Sequence, residues 1–210
     1  MRNAFTIPLM ACAFATAAAA QDYRRELERC GIDPAPRLPP IEAIEGCTAV
    51  IDSGRASARV LAEALVNRGD AFRLRRNDID RALADYDAAI RVAPDFARAF
   101  VSRGFVHLFA RPQLDRAIGD FSEAISIDPD SALALYYRGV AWSGKRDWDR
   151  AIADFDQAIR LRSAFSVAYR DRGKAREAKG DRAGAAADQA EAERIGRQGP
   201  DCGAAAGCGR

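Results

Sequence analysis

The sequence predicts an all-α protein built as a stack of helical hairpins. Three observations carry that prediction. One phrase recurs along the chain: DRALADYDAAI from Asp80, DRAIGDFSEAI from Asp115 and DRAIADFDQAI from Asp149. Each copy sets an Ala, an aromatic four residues on and a second Ala three further, as Ala82/Tyr86/Ala89, Ala117/Phe121/Ala124 and Ala151/Phe155/Ala158. Those offsets fall on one face of an α-helix. An Arg-Gly pair stands 13 or 12 residues before each first Ala, at Gly69, Gly104 and Gly139, and again at Gly173 before Ala185, so the glycines are 35, 35 and 34 residues apart. A period of this size marks an array of units that bury their apolar faces only by stacking.

Taken in order, residues 1–20 read as a secretory signal. Arg2 gives one positive charge, an Ala-rich apolar run follows from Ala4, and AAAA precedes Gln21-Asp22, where charge begins. This is the n-region, h-region and small-residue cleavage pattern, with cleavage near Ala20. The competing readings are an uncleaved membrane anchor, for which a run interrupted by Pro8 is marginal in length, and lipoprotein processing before Cys12, in the loose lipobox LMAC. Residues 21–56 read as a degenerate leading hairpin. DYRRELERC supplies a first helix, GIDPAPRLPP a connector, and IEAIEGCTAVIDSG aligns with the repeated phrase, with Ala43 in the Ala slot and Cys47 in the aromatic slot. Residues 57–197 form the array proper. Its second helices stop at Pro94, Pro129 and Ser163, and Asp78, Asp147 and Asp181 suit helix N-caps. Residues 198–210 form a Gly/Ala tail. No later segment is long and apolar enough to cross a membrane.

These slots resemble the tetratricopeptide repeat (TPR) family, whose pattern is an aromatic, Leu-Gly and an aromatic on the first helix, then Ala-x3-Phe…Pro on the second. The first aromatic slot holds Leu65, Phe100, Leu135 and Tyr169, and the second holds Phe72, His107, Trp142 and Arg176. The fourth repeat departs from the pattern, with Gln189 after Ala185, as a solvent-facing end requires. The resemblance implies about four repeats plus the leading hairpin, wound as a right-handed superhelix. It also implies that first helices line a concave groove. The slots three before, one after and four after the Gly then give Val101, Phe105 and Leu108 in the second repeat, and Tyr136, Val140 and Ser143 in the third, with Arg98 beside them. The other reading is that Phe105 and Tyr136 simply pack against neighbouring helices. The family's carboxylate-clamping Lys and Asn set is absent apart from Asn67.

The family's Leu before Gly is Arg in all four repeats, and an Asp follows each second-helix Ala by three residues, giving Arg68/Asp85, Arg103/Asp120, Arg138/Asp154 and Arg172/Asp188. The matched set reads as ion pairs between the two helices of a hairpin. An Arg row for an acidic ligand is the other reading, and it would leave the acidic side unbalanced. Beyond the signal four cysteines remain, Cys30, Cys47, Cys202 and Cys208. An even number in an exported chain points to disulfides. Four thiols allow three connectivities, and locality favours Cys30–Cys47 and Cys202–Cys208.

Charge is balanced, with 32 basic and 30 acidic residues, so no footprint for nucleic acid exists. His107 is the only histidine and sits in a packing slot. No zinc-ligand spacing, phosphate loop or nucleophile elbow occurs. No cofactor is implied. The reading is a non-catalytic scaffold or adaptor of the cell envelope, periplasmic or secreted, that holds an unidentified protein or peptide in its groove. The alternative is a structural or accessory subunit of an envelope enzyme or secretion complex.

Overall fold

The computed structural model describes residues 9–32, 39–76 and 78–197. Expectations for residues 1–8 and for the tail, Cys202 and Cys208 included, lie outside them. The described residues are all-α, as the sequence predicts, and contain no strand. They fall into two compact units that divide at Pro94. The first holds α1 (Leu9–Cys30), α2 (Pro40–Asp52), α3 (Ala58–Arg76) and α4 (Ile79–Val92). The second holds α5 (Ala97–Phe105), which runs into a π-helical turn at Val106–Ala110, then α6 (Leu114–Ile127), α7 (Ala132–Gly144), α8 (Trp148–Leu161), α9 (Ser166–Ala178) and α10 (Arg182–Arg197). Within each unit every helix packs on the next in sequence.

The helix ends follow local chemistry. Asp78, Ser131 and Asp147 accept hydrogen bonds from the backbone N–H three residues on, which satisfies donors the first turn leaves open. Asp181 caps α10 in the same way, accepting from Gly184 at 2.9 Å. α2 begins with Pro40 at its first position, where a missing N–H costs nothing.

The repeated phrase becomes the core. Tyr86, Phe121 and Phe155 are fully buried, and so are the alanines on either side of each. Each ring fills the space above the glycine of its own hairpin. A Cβ added to Gly69, Gly104 or Gly139 would stand 2.7, 2.9 or 2.8 Å from that ring, closer than carbon atoms approach. The glycine therefore sets how near the two helices come.

In the first two repeats the 13-residue Gly-to-Ala spacing is absorbed between the helices. The N–H that closes each hairpin comes from Asp78, Gln113, Asp147 and Asp181, to the carbonyls of Phe72, His107, Trp142 and Arg176. These bonds span six residues in the first two repeats and five in the last two. In the second repeat the excess residue widens the end of the first helix into the π turn, with Arg111 N–H on the Val106 carbonyl at 2.9 Å. In the last two the tighter turn needs a left-handed residue, Arg146 (φ 62°) and Gly180 (φ 89°).

The leading hairpin is closed differently. Cys30 and Cys47 form a disulfide with Cα atoms 4.4 Å apart, and both are buried with Val50 and Ala64. Gly46 lies so close to α1 that a Cβ there would meet the Arg29 backbone at 2.6 Å. α1 itself runs unbroken past Ala20, and the Ala19 carbonyl accepts from Arg55 Nη1 at 3.0 Å.

Candidate functional site

The second unit carries a run of aromatic rings along α5 and α7. Phe105 lies 4.7 Å from Phe109 and 5.3 Å from Tyr137. Phe109 and Tyr137 are 6.0 Å apart. Tyr137 lies 5.2 Å from Tyr136, which stands 5.0 Å from Phe165 at the start of α9. The run is anchored below by the core rings, with Phe121 at 5.7 Å from Tyr137 and Phe155 at 5.9 Å from Tyr136. Phe109 is 52 % exposed. Ring pairs at these distances favour one another beyond their buried area, so the surface ring is held on a stiff base. The Tyr136 hydroxyl donates to Asp171 at 2.8 Å. Burial, then that carboxylate, pushes its pKa well up, so it stays a neutral donor.

The arginines before the glycines form forked pairs. Arg68 gives Nε and Nη2 to Asp85 at 2.9 and 2.8 Å, and Arg138 does the same to Asp154. Arg103 grips Asp120 at 2.6 Å through Nη2, and Arg172 binds Asp188 through Nε and Nη2. All four aspartates are buried. A further donor, Nη1, reaches back to the preceding second helix: Arg68 to Thr48, Arg138 to Ser122 and Arg172 to Asp156. Each acceptor stands five residues after the Ala slot, at Ala43, Ala117 and Ala151. Thr48 thus occupies the repeat register, so α2 takes the place of a repeat's second helix. The pairs join the helices of one hairpin, and Arg68, Arg138 and Arg172 also staple their hairpin to the one before. Hydrogen bonds donated to Asp85 and Asp154 hold Arg68 and Arg138 above the ordinary guanidinium value. At Arg172 burial opposes the charge, and hydrogen bonds to Asp188 and Asp156 outweigh it. These donors point into protein, so they offer little to an acidic ligand.

No protein-family model matches the sequence, and no curated protein matches it. Solved structures do. MamA 41-end from Desulfovibrio magneticus RS-1 is similar at a TM-score of 0.68 and 22% identity, over 86% of this chain and 96% of that one. A MamA RS-1 double mutant gives 0.68 at 21% identity, over 85% and 95%. A further MamA crystal structure gives 0.65 at 21%, over 76% and 90%. The fold is that of the tetratricopeptide repeats. At these identities the likeness speaks for the fold alone.

In TPR terms, the first helices of the second and third repeats bear the aromatic run. Phe105 and Tyr136, named from slot arithmetic, both lie in it. Val101 and Val140 are half-buried and pack on the cluster of Ala117, Phe121 and Ala141. Arg98 is exposed on the first turn of α5. Leu108 is a correction: it is 7 % exposed and belongs to that core cluster. The reason is the π turn, which inserts one residue after Gly104. The slot four after the glycine rotates inward, and Phe109, five after it, comes out beside Phe105. The sequence signal for this was the 13-residue Gly-to-Ala spacing. Tyr137 stands outside the groove slots, and only its contacts with Phe105, Phe109 and Phe121 place it in the run. His107 is buried, with Nε2 3.9 Å from Asp120. Among the described residues no group of His, Cys, Asp or Glu is placed to hold a metal ion.

Proposed function

We propose that the protein is an exported, non-catalytic TPR scaffold that holds a protein or peptide on the aromatic face of α5 and α7. The observation that carries this reading is Phe109, an exposed ring at the head of a continuous run through Phe105, Tyr137 and Tyr136. Large rigid rings with one face wet are the side chains on which binding energy concentrates. The TPR resemblance implies that first helices line a concave side, where an extended or helical segment can lie against them. Export is supported by the apolar N-terminal run, the AAAA before Gln21 and the buried Cys30–Cys47 disulfide. No described helix is long and apolar enough to cross a membrane.

Two measurements test the reading. N-terminal sequencing of protein recovered from the producing cell should begin at Gln21; a lipid-bearing start at Cys12 would replace the soluble assignment with a lipoprotein. Crosslinking and mass spectrometry in the native envelope should yield a partner that Phe109→Ser loses while the far-UV spectrum and melting temperature hold. A partner set unchanged by that substitution would move the site off the aromatic face.

A further inference from the structure

The third and fourth repeats use the same slots for different ends. In the third, Tyr136 and Val140 of α7 and Trp148, Ala151, Ile152 and Phe155 of α8 form an apolar socket. Ala175 of α9 packs into it. Counted from the glycine and from the second-helix Ala, the matching residues of the fourth repeat are Arg170, Lys174, Arg182, Ala185, Ala186 and Gln189. Together with Gly173 and Glu177, these same six line an open cleft of about 450 Å³ between α9 and α10. No described helix follows α10 to fill it.

The cleft exists because the filling side chains are gone. Gln189 is exposed, whereas Phe155 in the same slot is fully buried. Ala186 stands where Ile152 stands. Above Gly173 the nearest atoms to an added Cβ are 3.3 Å away, against 2.8 Å above Gly139. The floor is Gly173, Ala185 and Ala186, small and apolar. The walls carry three cations, Arg170, Lys174 and Arg182, against one anion, Glu177. All four charged groups are exposed, and Lys174 also pairs with Asp171 at 2.7 Å. A repeat end made only for solubility needs polar side chains; it does not need an emptied socket with walls of one dominant sign.

We propose that this socket docks an acidic amphipathic helix of a partner protein, seated on α9–α10 as α9 sits on α7–α8. The partner supplies what the fourth repeat lacks. A bulky apolar residue enters over Gly173, Ala185 and Ala186, and carboxylates on its flanks face Arg170, Lys174 and Arg182. Size complementarity fixes the register, and opposite charge sets partner choice and speeds the encounter.

The probe is a synthetic helical peptide of Glu and Ala with two Leu one turn apart, labelled for fluorescence anisotropy against the full chain. Binding is expected to weaken at least tenfold when Leu becomes Ala in the peptide, and when Glu becomes Gln. The same loss is expected in the protein with Arg170→Glu, Lys174→Glu and Arg182→Glu together. A second variant, Ala186→Trp, fills the cleft without touching its charge and should also lose the peptide, so a triple variant that fails to fold leaves the test standing. Phe109→Ser should bind the probe as wild type does, which separates this socket from the aromatic face. The proposal is overturned if the Leu-less peptide binds equally, since bare charge attraction then suffices. Binding that survives both protein variants, or that only Phe109→Ser abolishes, overturns it too.

Discussion

The leading hairpin and the last one both lack the aromatic that locks the internal repeats, and they make up the loss in opposite ways. In α2 the slot holds Cys47, bonded to Cys30 of α1 and completely buried. In α10 it holds Gln189, exposed, with the gap below left open. The leading hairpin has exchanged packing for a covalent link, which restricts the unfolded chain. The last hairpin is held by ions instead: Asp188 receives both Arg172 and Arg176, and Arg172 also reaches Asp156. One aromatic slot thus tolerates a ring, a disulfide sulfur or a solvent-facing amide, provided something else holds the two helices together when the ring is gone.

The sharpest way to break this comparison is to empty the slot in each setting. Phe155→Ala should cost about 3–5 kcal/mol by urea denaturation, as loss of a buried ring in a packed core does. Gln189→Ala should stay within about 0.5 kcal/mol, as an exposed change away from any core does. Equal costs would mean that Gln189 contributes to packing after all. Next is the disulfide. The bridge joins residues 17 apart, so replacing both cysteines by Ser should destabilise the leading hairpin by about 3 kcal/mol in the chain-entropy model. Amide exchange should accelerate in α1 and α2 and leave α7 to α10 unchanged.

The ionic substitute gives the third comparison. Arg138→Met leaves Asp154 buried without its fork and should cost about 1–3 kcal/mol. Adding Asp154→Leu should return part of that loss, and a cost that simply sums would show the two groups to be uncoupled. Arg172→Met should cost less than Arg138→Met, because Arg176 stays on Asp188 at 3.0 Å. The smallest effect concerns the turns. Arg146 holds a left-handed backbone where the fourth repeat has Gly180. Arg146→Gly should therefore gain up to about 1 kcal/mol, and Gly180→Arg should lose a similar amount, both read from denaturation midpoints.

The legible part of the site was the part written in repeat register. Phe105 and Tyr136 could be named because their slots keep phase with Gly104 and Gly139. Leu108 and Phe109 could not be told apart, because a one-residue excess can sit in the turn or widen the helix. The sequence shows that excess and not where it is taken up. Thr48 carried no signal by itself, since a threonine on a helix is ordinary; only the reach of Arg68 Nη1 gives it a place. In sequence the α9–α10 cleft is indistinguishable from a plain solvent-facing end, because a polar residue in an apolar slot looks the same whether it covers a gap or leaves one open.

The sequence by itself determined the hairpin stack. The Gly, Ala and aromatic slots act within one hairpin or between neighbours, so a short-range pattern repeated along the chain is enough to specify them. It also determined the matched Arg and Asp set, which recurs with the same period. Tertiary structure alone decided where each shared contact goes. The π turn, the outward swing of Phe109, the reach of Arg68, Arg138 and Arg172 to the preceding second helix and the emptied socket at α10 depend on how two or three helices fill space at once. That is a property of packed volume, and no single stretch of sequence carries it.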